Sequence, residues 1–264
     1  MNHEGHIMPI KRYIDSEADI NKRYNLIDFN TRMSLFDVMC KSPIPSTEFL
    51  NNIGLFLDRR ILSRYLFINE LYQRILGIHG CVMELGVRYG QNLALFTSLR
   101  GIYEPFNHNR RVIGFDTFEG FPVIDKTKDL KNVRIGEYSV PENYEQFLNT
   151  VLSVHENMAP IESIKKFELV KGDASETVKK YLNEHRETII ALAYFDLDIY
   201  KPTRDCLEAI LPYLSRGAVV GFDEINVPDW PGETEALREV LGINNYTIHH
   251  SKFRASAGYI VYGE

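Results

Sequence analysis

Carboxylates recur where the apolar runs of this chain stop. The runs Cys81–Met83, Arg111–Phe115, Ile189–Phe195 and Ala218–Phe222 end at or next to Glu84, Asp116, Asp196 and Asp223, and Asp173 follows the run Phe167–Val170 by a few residues. Such runs read as buried strands, and in open α/β sheets ligands bind outside the carboxyl ends of the strands. Acids delivered to one rim repel each other unless something cationic or rich in hydroxyls lies among them. The rim divides into two halves.

In the first half, Glu84, Gly86 and Gly90 make an E-x-G-x-x-x-G turn ahead of a helix-like segment. Glycine permits unusual φ there and lets a ligand approach the backbone, and the helix N-terminus offers unpaired N–H groups. This is a nucleotide-type cradle, although both G-x-G-x-x-G and the P-loop G-K-[ST] are absent. An ordinary strand-to-helix turn is the plainer reading of the same residues. Asp116 lies somewhat beyond the roughly 20-residue offset of a ribose-binding acid and could accept two ribose hydroxyls. Asp173, with Ala174 and Ser175, is placed to reach an adenine edge.

The second half, Asp196, Asp223 and Glu224, supplies three hard oxygen donors suited to Mg²⁺ or Mn²⁺. Helix N-capping competes as an explanation. It accounts for Asp173 and for Asp198, and poorly for Asp196 and the Asp223–Glu224 pair, whose helices begin several residues later.

The elements that position these acids alternate from Gly80 onward. Strands at Cys81–Glu84, Arg111–Phe115, Phe167–Val170, Ile189–Phe195 and Ala218–Phe222 interleave with helices, including Pro141–Val154, Thr203–Tyr213 and Glu233–Leu241. Continuous apolar strands separated by helices predict a parallel sheet covered on both faces. The last two strands, Tyr246–His250 and Tyr259–Tyr262, have no helix between them and should form a hairpin. Residues 117–140 read as a long loop over one face. Before His79 the pattern is helical, at Arg32–Met39 and Asn51–Leu76, with Ser42-Pro43-Ile44-Pro45 as a breaker. The expected organisation is therefore an N-terminal helical cap or oligomer contact over 1–79 and an α/β domain over 80–264.

Bulk composition sets limits. The 264 residues are 44% hydrophobic and 25% charged, ordinary for a globular chain. A net charge of −6 argues against steering toward nucleic acid or an anionic membrane surface. The N-terminus, Met1–His6, lacks a charged-then-apolar signal pattern, and no apolar run approaches membrane-spanning length. Three scattered cysteines, Cys40, Cys81 and Cys206, read as reduced thiols of a cytoplasmic protein.

The motifs, taken together, resemble a known family. Glu84-Leu-Gly-x-x-x-Gly90, Gly114-Phe-Asp-Thr-Phe-Glu-Gly-Phe-Pro122, Gly172-Asp-Ala, Phe195-Asp-Leu-Asp-Ile-Tyr200 and Phe222-Asp-Glu224 look like the macrocin O-methyltransferase family, from about Gly80 to the C-terminus. Its members are S-adenosylmethionine-dependent, metal-requiring enzymes that methylate sugar hydroxyls of natural products such as macrolides and aminocoumarins. The resemblance implies a Rossmann-like class I methyltransferase fold with a mostly parallel seven-stranded sheet and a terminal antiparallel hairpin. It implies a saccharide or glycoside acceptor, while the charge leaves no nucleic-acid or membrane partner expected and the N-terminal segment suggests a homo-oligomer. By the same resemblance Glu84, Gly86 and Gly90 hold the methionine end of the donor, Asp116 with Thr117 and Phe118 the ribose side, and Asp173 and Ala174 the adenine. Asp196, Asp223 and Glu224 would hold the metal, Glu224 standing where such enzymes commonly show Asp or Asn.

A metal chelated by vicinal sugar oxygens would acidify one of them, with Asp196 as ligand and general base and Asp198, His249 or His250 as fallback bases. The competing function is a metal-dependent nucleotide-sugar glycosyltransferase, because an apolar strand ending in Asp196-Leu197-Asp198 also fits that class.

Overall fold

The computed structural model describes residues 26–130 and 133–264. The N-terminal stretch Met1–His6 therefore lies outside the described residues. The chain separates into two compact units, one ending at Arg60 and the other comprising Ile61–Glu264.

Among the described residues, the first unit holds α1 (Leu26–Cys40), the single turn α2 (Ser46–Phe49) and a 3₁₀ stretch, Leu50–Phe56. Sequence periodicity predicts one helix over Asn51–Leu76, and the structure breaks it. Leu57 is extended, and Asp58 accepts a hydrogen bond from Arg60 N at 2.8 Å, the local bond that starts a new helix, α3 (Arg59–Arg74).

The second unit carries a seven-stranded sheet: β1 (Cys81–Leu85), β2 (Val112–Asp116), β3 (Phe167–Lys171), β4 (Ile190–Phe195), β5 (Leu214–Phe222), β6 (His249–His250) and β7 (Gly258–Val261). Its order is β3-β2-β1-β4-β5-β7-β6, with β1 to β5 parallel and β7 antiparallel to both β5 and β6. This is the mostly parallel sheet with an antiparallel end that the alternation predicts. The helices are α4 (Gln91–Tyr103), α5 (Tyr144–Asn157), α6 (Ala174–Glu184), α7 (Tyr200–Ile210) and α8 (Gly232–Val240).

The central strands β1, β2 and β4 are buried on both faces, which is why their residues run apolar up to the terminal acids rather than alternating. On β1, Cys81, Met83 and Leu85 join the core formed with α6, α7 and α8, while Val82 joins the opposite core with α3, α4 and α5. Two helix starts differ from the sequence reading. Asn143 has φ of 61°, so helical geometry cannot begin at Pro141 and starts at Tyr144. α7 starts at Tyr200, so Pro202 is its third residue, where a missing N–H costs nothing.

Gly86 fixes how closely β1 and β4 end. Its φ is +90°, and a Cβ there would lie 2.0 Å from the Asp196 carbonyl oxygen. Gly101, inside α4, has nothing within 4 Å of such a Cβ. Gly86→Ala should therefore destabilise the protein by about 2–5 kcal/mol in urea unfolding, whereas Gly101→Ala should stabilise it by about 0.5–1 kcal/mol. Similar shifts of either sign in the two variants would contradict this packing.

Candidate active site

The parallel register delivers the acids to one rim. Glu84 pairs with Gly114 and Tyr194, and Phe195 pairs with Phe222, so the residues that follow, Asp196 and Asp223, leave adjacent strands side by side. The ladder runs one step further, with Asp196 N donating to Leu85 O at 2.9 Å and Asp223 N to Phe195 O at 3.0 Å.

On the β1–β2 side, the Asp116 carboxylate ties the turns together. One oxygen accepts from Val87 N and Arg88 N, each at 2.7 Å, and the other from Phe118 N at 2.5 Å. Thr117 Oγ1 donates to Gly120 O at 2.7 Å, which holds the start of the following loop. Gly90 (φ +78°) precedes α4. Asp173 is the N-cap of α6, accepting from Ser175 N at 2.9 Å, and Ala174 is buried beside it. The capping explanation thus accounts for one Asp173 oxygen.

Glu84 is different. It is 1% exposed, one carboxyl oxygen accepts from Asn92 Nδ2 at 2.9 Å, and its other oxygen and Asn92 Oδ1 are buried without a partner among the described residues. Burial, and then the charge of Asp196, raises its pKa well above the ordinary carboxyl range.

On the β4–β5 side, one oxygen each from Asp196, Asp198 and Glu224 lies within 4.8 Å of the others. Asp223, expected from the sequence beside Asp196 and Glu224, has its oxygens engaged elsewhere. It is 2% exposed and accepts from Tyr194 Oη, from Arg64 Nη2 at 3.1 Å and from Arg254 Nη2 at 2.8 Å. Arg64 Nη1 also donates to Asp196 at 3.0 Å. Asp198 does not cap α7. It sits at φ 63°, and Ile199 takes the cap position.

Beneath these acids is Glu233, fully buried at the start of α8. One of its oxygens accepts from Leu197 N at 3.1 Å and Asp198 N at 3.4 Å, and the other from Glu224 N at 3.1 Å. One side chain therefore pins the loops after β4 and β5 to each other.

Electrostatics follow from this crowding. Burial, then the charge of Asp223, pushes Asp196 up to about 6, and burial, then the charge of Asp196, pushes Asp198 up to about 7. Glu224 and Glu233 are raised well above their ordinary range, by burial first and neighbouring acids second. For Asp223 burial acts upward as well, but Arg64 and Arg254 outweigh it and hold the group below the usual range. His249 and His250 lie on β6, the outermost strand, separated from β5 by β7, and the His249 ring stacks on Tyr259 at 4.9 Å.

Sequence reasoning did not find Arg64, Arg254, Tyr194 or Glu233. A signal existed for Arg64, which stands three, four and seven residues before the buried Phe67, Ile68 and Leu71 and so shares their helix face. An arginine on an apolar face requires a buried carboxylate. Glu233 could be read only as an acid in a first helical turn, and Arg254 gave no signal.

Comparison with known proteins converges on one class. A family model described as macrocin-O-methyltransferase (TylF) matches residues 66–249. The structure of CalS11, a calicheamicin methyltransferase, is 41% identical with a TM-score of 0.87, covering 91% of this chain and 95% of its own. An apo structure of CalS11, described as a TDP-rhamnose 3'-O-methyltransferase of calicheamicin biosynthesis, is 39% identical with a TM-score of 0.82, covering 93% and 100%. The O-methyltransferase NovP shares the fold at 18% identity and a TM-score of 0.60, covering 76% and 79%. No curated protein matches the chain.

Carboxyls whose pKa is raised by folding make the native state bind more protons than the unfolded chain, so stability falls as pH rises toward the folded values. With Asp196 and Asp198 raised from 3.8 to about 6 and about 7, the melting temperature in chelator should drop between about pH 4 and about pH 7. Asp198→Asn should flatten that drop. A melting temperature that climbs across the window would contradict the crowding.

Proposed function

The chain belongs to the macrocin O-methyltransferase family, and on that premise we propose that it transfers a methyl group from S-adenosylmethionine to a saccharide hydroxyl, assisted by Mg²⁺ or Mn²⁺. Family membership sets aside the glycosyltransferase alternative raised by Asp196-Leu197-Asp198. The single observation that carries the reading is the pairing on one rim of a buried, half-satisfied Glu84 with the Asp196–Asp198–Glu224 group.

The donor's chemistry fits the β1–β2 side. Glu84 and Asn92 each leave one buried acceptor unpartnered among the described residues, and an α-ammonium carries three N–H donors. A cation there would also relieve the raised proton affinity of Glu84. An ionised carboxylate has about four acceptor positions; Asp116 uses three on backbone N–H groups, which leaves one for a ribose hydroxyl. Thr117 and Phe118 shape that turn, and Asp173 and Ala174 form the opposite wall at the end of β3. Gly86 and Gly90 allow the close turn beneath.

The second half suits a hard dication. Three carboxylate oxygens within 4.8 Å, two of them with proton affinities raised toward neutrality, form a donor set short of positive charge. Asp196 and Glu224 are common to the sequence reading and to this group. Asp198 is the third oxygen as the side chains stand, in place of Asp223, which is engaged by Arg64, Arg254 and Tyr194. A divalent ion bound there would supply Lewis acidity that makes a sugar hydroxyl easier to deprotonate.

The chain's own residues then carry out the remaining work. Asp196, or Asp198 beside it, is the carboxylate that would accept the hydroxyl proton. Glu233 fixes the separation of the two acid-bearing loops, so the acceptor oxygen meets a preset geometry.

The acceptor is proposed as a sugar, nucleotide-linked as in the description of CalS11. The rings of Phe121, Tyr138 and Trp230 lie 5.3–6.3 Å apart between the β2 and β5 loops, and the Arg88 guanidinium stacks on Tyr138 at 4.5 Å. Such a wall favours flat sugar and base faces together with anionic linkers. Three unpaired cysteines support the cytoplasmic setting that belongs to this proposal. Among the described residues, no helix is long and apolar enough to cross a membrane.

Isothermal titration calorimetry with S-adenosylmethionine and a labelled-methyl assay on TDP-sugars test the reading. Glu84→Gln should weaken donor binding roughly 10- to 100-fold, the loss of a charge-assisted hydrogen bond. A chelator should stop methyl transfer while donor affinity stays nearly constant. Full turnover in chelator would remove the metal from the proposal, and wild-type donor affinity in Glu84→Gln would remove Glu84 from the site.

A further inference from the structure

Arg64 has no part in the donor and acceptor contacts proposed above, yet it reaches into the acid rim. α3 is anchored by Phe67, Ile68, Leu71 and Tyr72, all fully buried, and the Phe67 ring meets Tyr194 edge-on at 6.3 Å. That anchoring directs the preceding turn, and with it Arg64, onto the ends of β4 and β5. There one guanidinium nitrogen donates to Asp196 at 3.0 Å and another to Asp223 at 3.1 Å. The guanidinium thus bridges the two carboxylates that leave adjacent parallel strands.

We propose that Arg64 is the resident cation of the acid rim, an internal competitor that a divalent ion must displace from Asp196, and that it thereby sets the enzyme's ion affinity. This rests on the metal-assisted reading of the site given above.

Three observations support it. First, charge: Asp196, Asp198, Asp223 and Glu224 crowd one rim, and Asp196 is an oxygen donor in both possible ligand sets while also being an acceptor of Arg64. Second, redundancy: Asp223 keeps a separate partner, Arg254, at 2.8 Å and the Tyr194 hydroxyl, so release of Arg64 strands no buried charge there. Asp196, by contrast, has Arg64 as its one cation within ion-pairing distance among the described residues, and its side chain is 24% exposed, open to an incoming ion. Third, access: the Arg64 side chain is itself 23% exposed, on a long flexible stem, and is not sealed in the core. The ligand-free protein thereby avoids holding bare acids together, at the expense of weaker ion binding.

The direction in which ion affinity changes distinguishes this role from that of a scaffold. A scaffold arginine would hold Asp196 in place for the ion, and losing it would loosen binding. A competitor blocks an oxygen the ion needs, and losing it tightens binding.

Calorimetric titration of the chelator-stripped full-length protein with Mn²⁺, without donor or acceptor, reads the difference directly. Arg64→Met keeps the apolar stem and removes the charge; it should bind Mn²⁺ about tenfold or more tightly than the wild type (about 1.4 kcal/mol per tenfold). Arg64→Lys keeps a charge that cannot fork across two carboxylates and should fall between them, which preserves the test if the methionine variant folds poorly. Circular dichroism melts without ion should show both variants folded. Equal or weaker Mn²⁺ binding in the variants overturns the competitor role while leaving the metal reading intact. Absence of Mn²⁺ binding in wild type and variants alike overturns the metal reading, and the competitor role with it.

Discussion

Mutual repulsion among carboxylates at the carboxyl end of one sheet is the constraint around which this molecule is arranged. Parallel strands in register bring Asp196 and Asp223 out side by side, and the loops that follow add Asp198 and Glu224. In a partly desolvated setting such charges cannot all persist uncompensated. The structure answers in two ways. Arg64 and Arg254 neutralise Asp223, Arg64 alone also pairs with Asp196, and the remaining acids hold protons more tightly than usual.

Much of the surrounding architecture serves that arrangement. Glu233 spends both oxygens on backbone N–H groups of the two acid-bearing loops, so one buried carboxyl sets their spacing. Tyr194, at the heart of the β4 core, presents its hydroxyl to Asp223 and its ring to Phe67 of α3. The helix that carries Arg64 is thus packed against the same residue that braces its carboxylate partner. On the β1–β2 side Asp116 does for the glycine turn what Glu233 does for the acid loops, clamping three backbone N–H groups. Rigid loops with pre-oriented acids are the economical way to meet an in-line displacement, where positioning supplies much of the acceleration.

The legible part of the sequence was the part governed by short-range periodicity. Apolar runs ending in acids identify β1, β2, β4 and β5 because buried parallel strands have no polar face to disguise them. The closing hairpin was legible for the same reason, since no helical segment separates β6 from β7. Other features depend on contacts between distant residues. Asn51 to Leu76 shows helical spacing throughout, yet Asp58 starts α3 afresh because a local side chain-to-backbone bond outweighs periodicity. Pro141 looks like a helix start until Asn143 adopts left-handed geometry. The grouping of Asp198 with Asp196 and Glu224 was hidden for a similar reason. Side-chain direction at φ 63° cannot be read from a one-letter string, and neither can the pairing of Arg64 with Asp196 and Asp223, 132 and 159 positions further along the chain.

We propose that this rim of carboxylates holds a divalent cation next to a bound methyl donor. Anomalous diffraction from a crystal grown with Mn²⁺ and S-adenosylmethionine tests it most directly. The account predicts one strong manganese peak coordinated by Asp196 and Glu224, with the donor's methionine end against Glu84. A map with no manganese at these acids, and with Asp196 still paired to Arg64 while donor is bound, would contradict it.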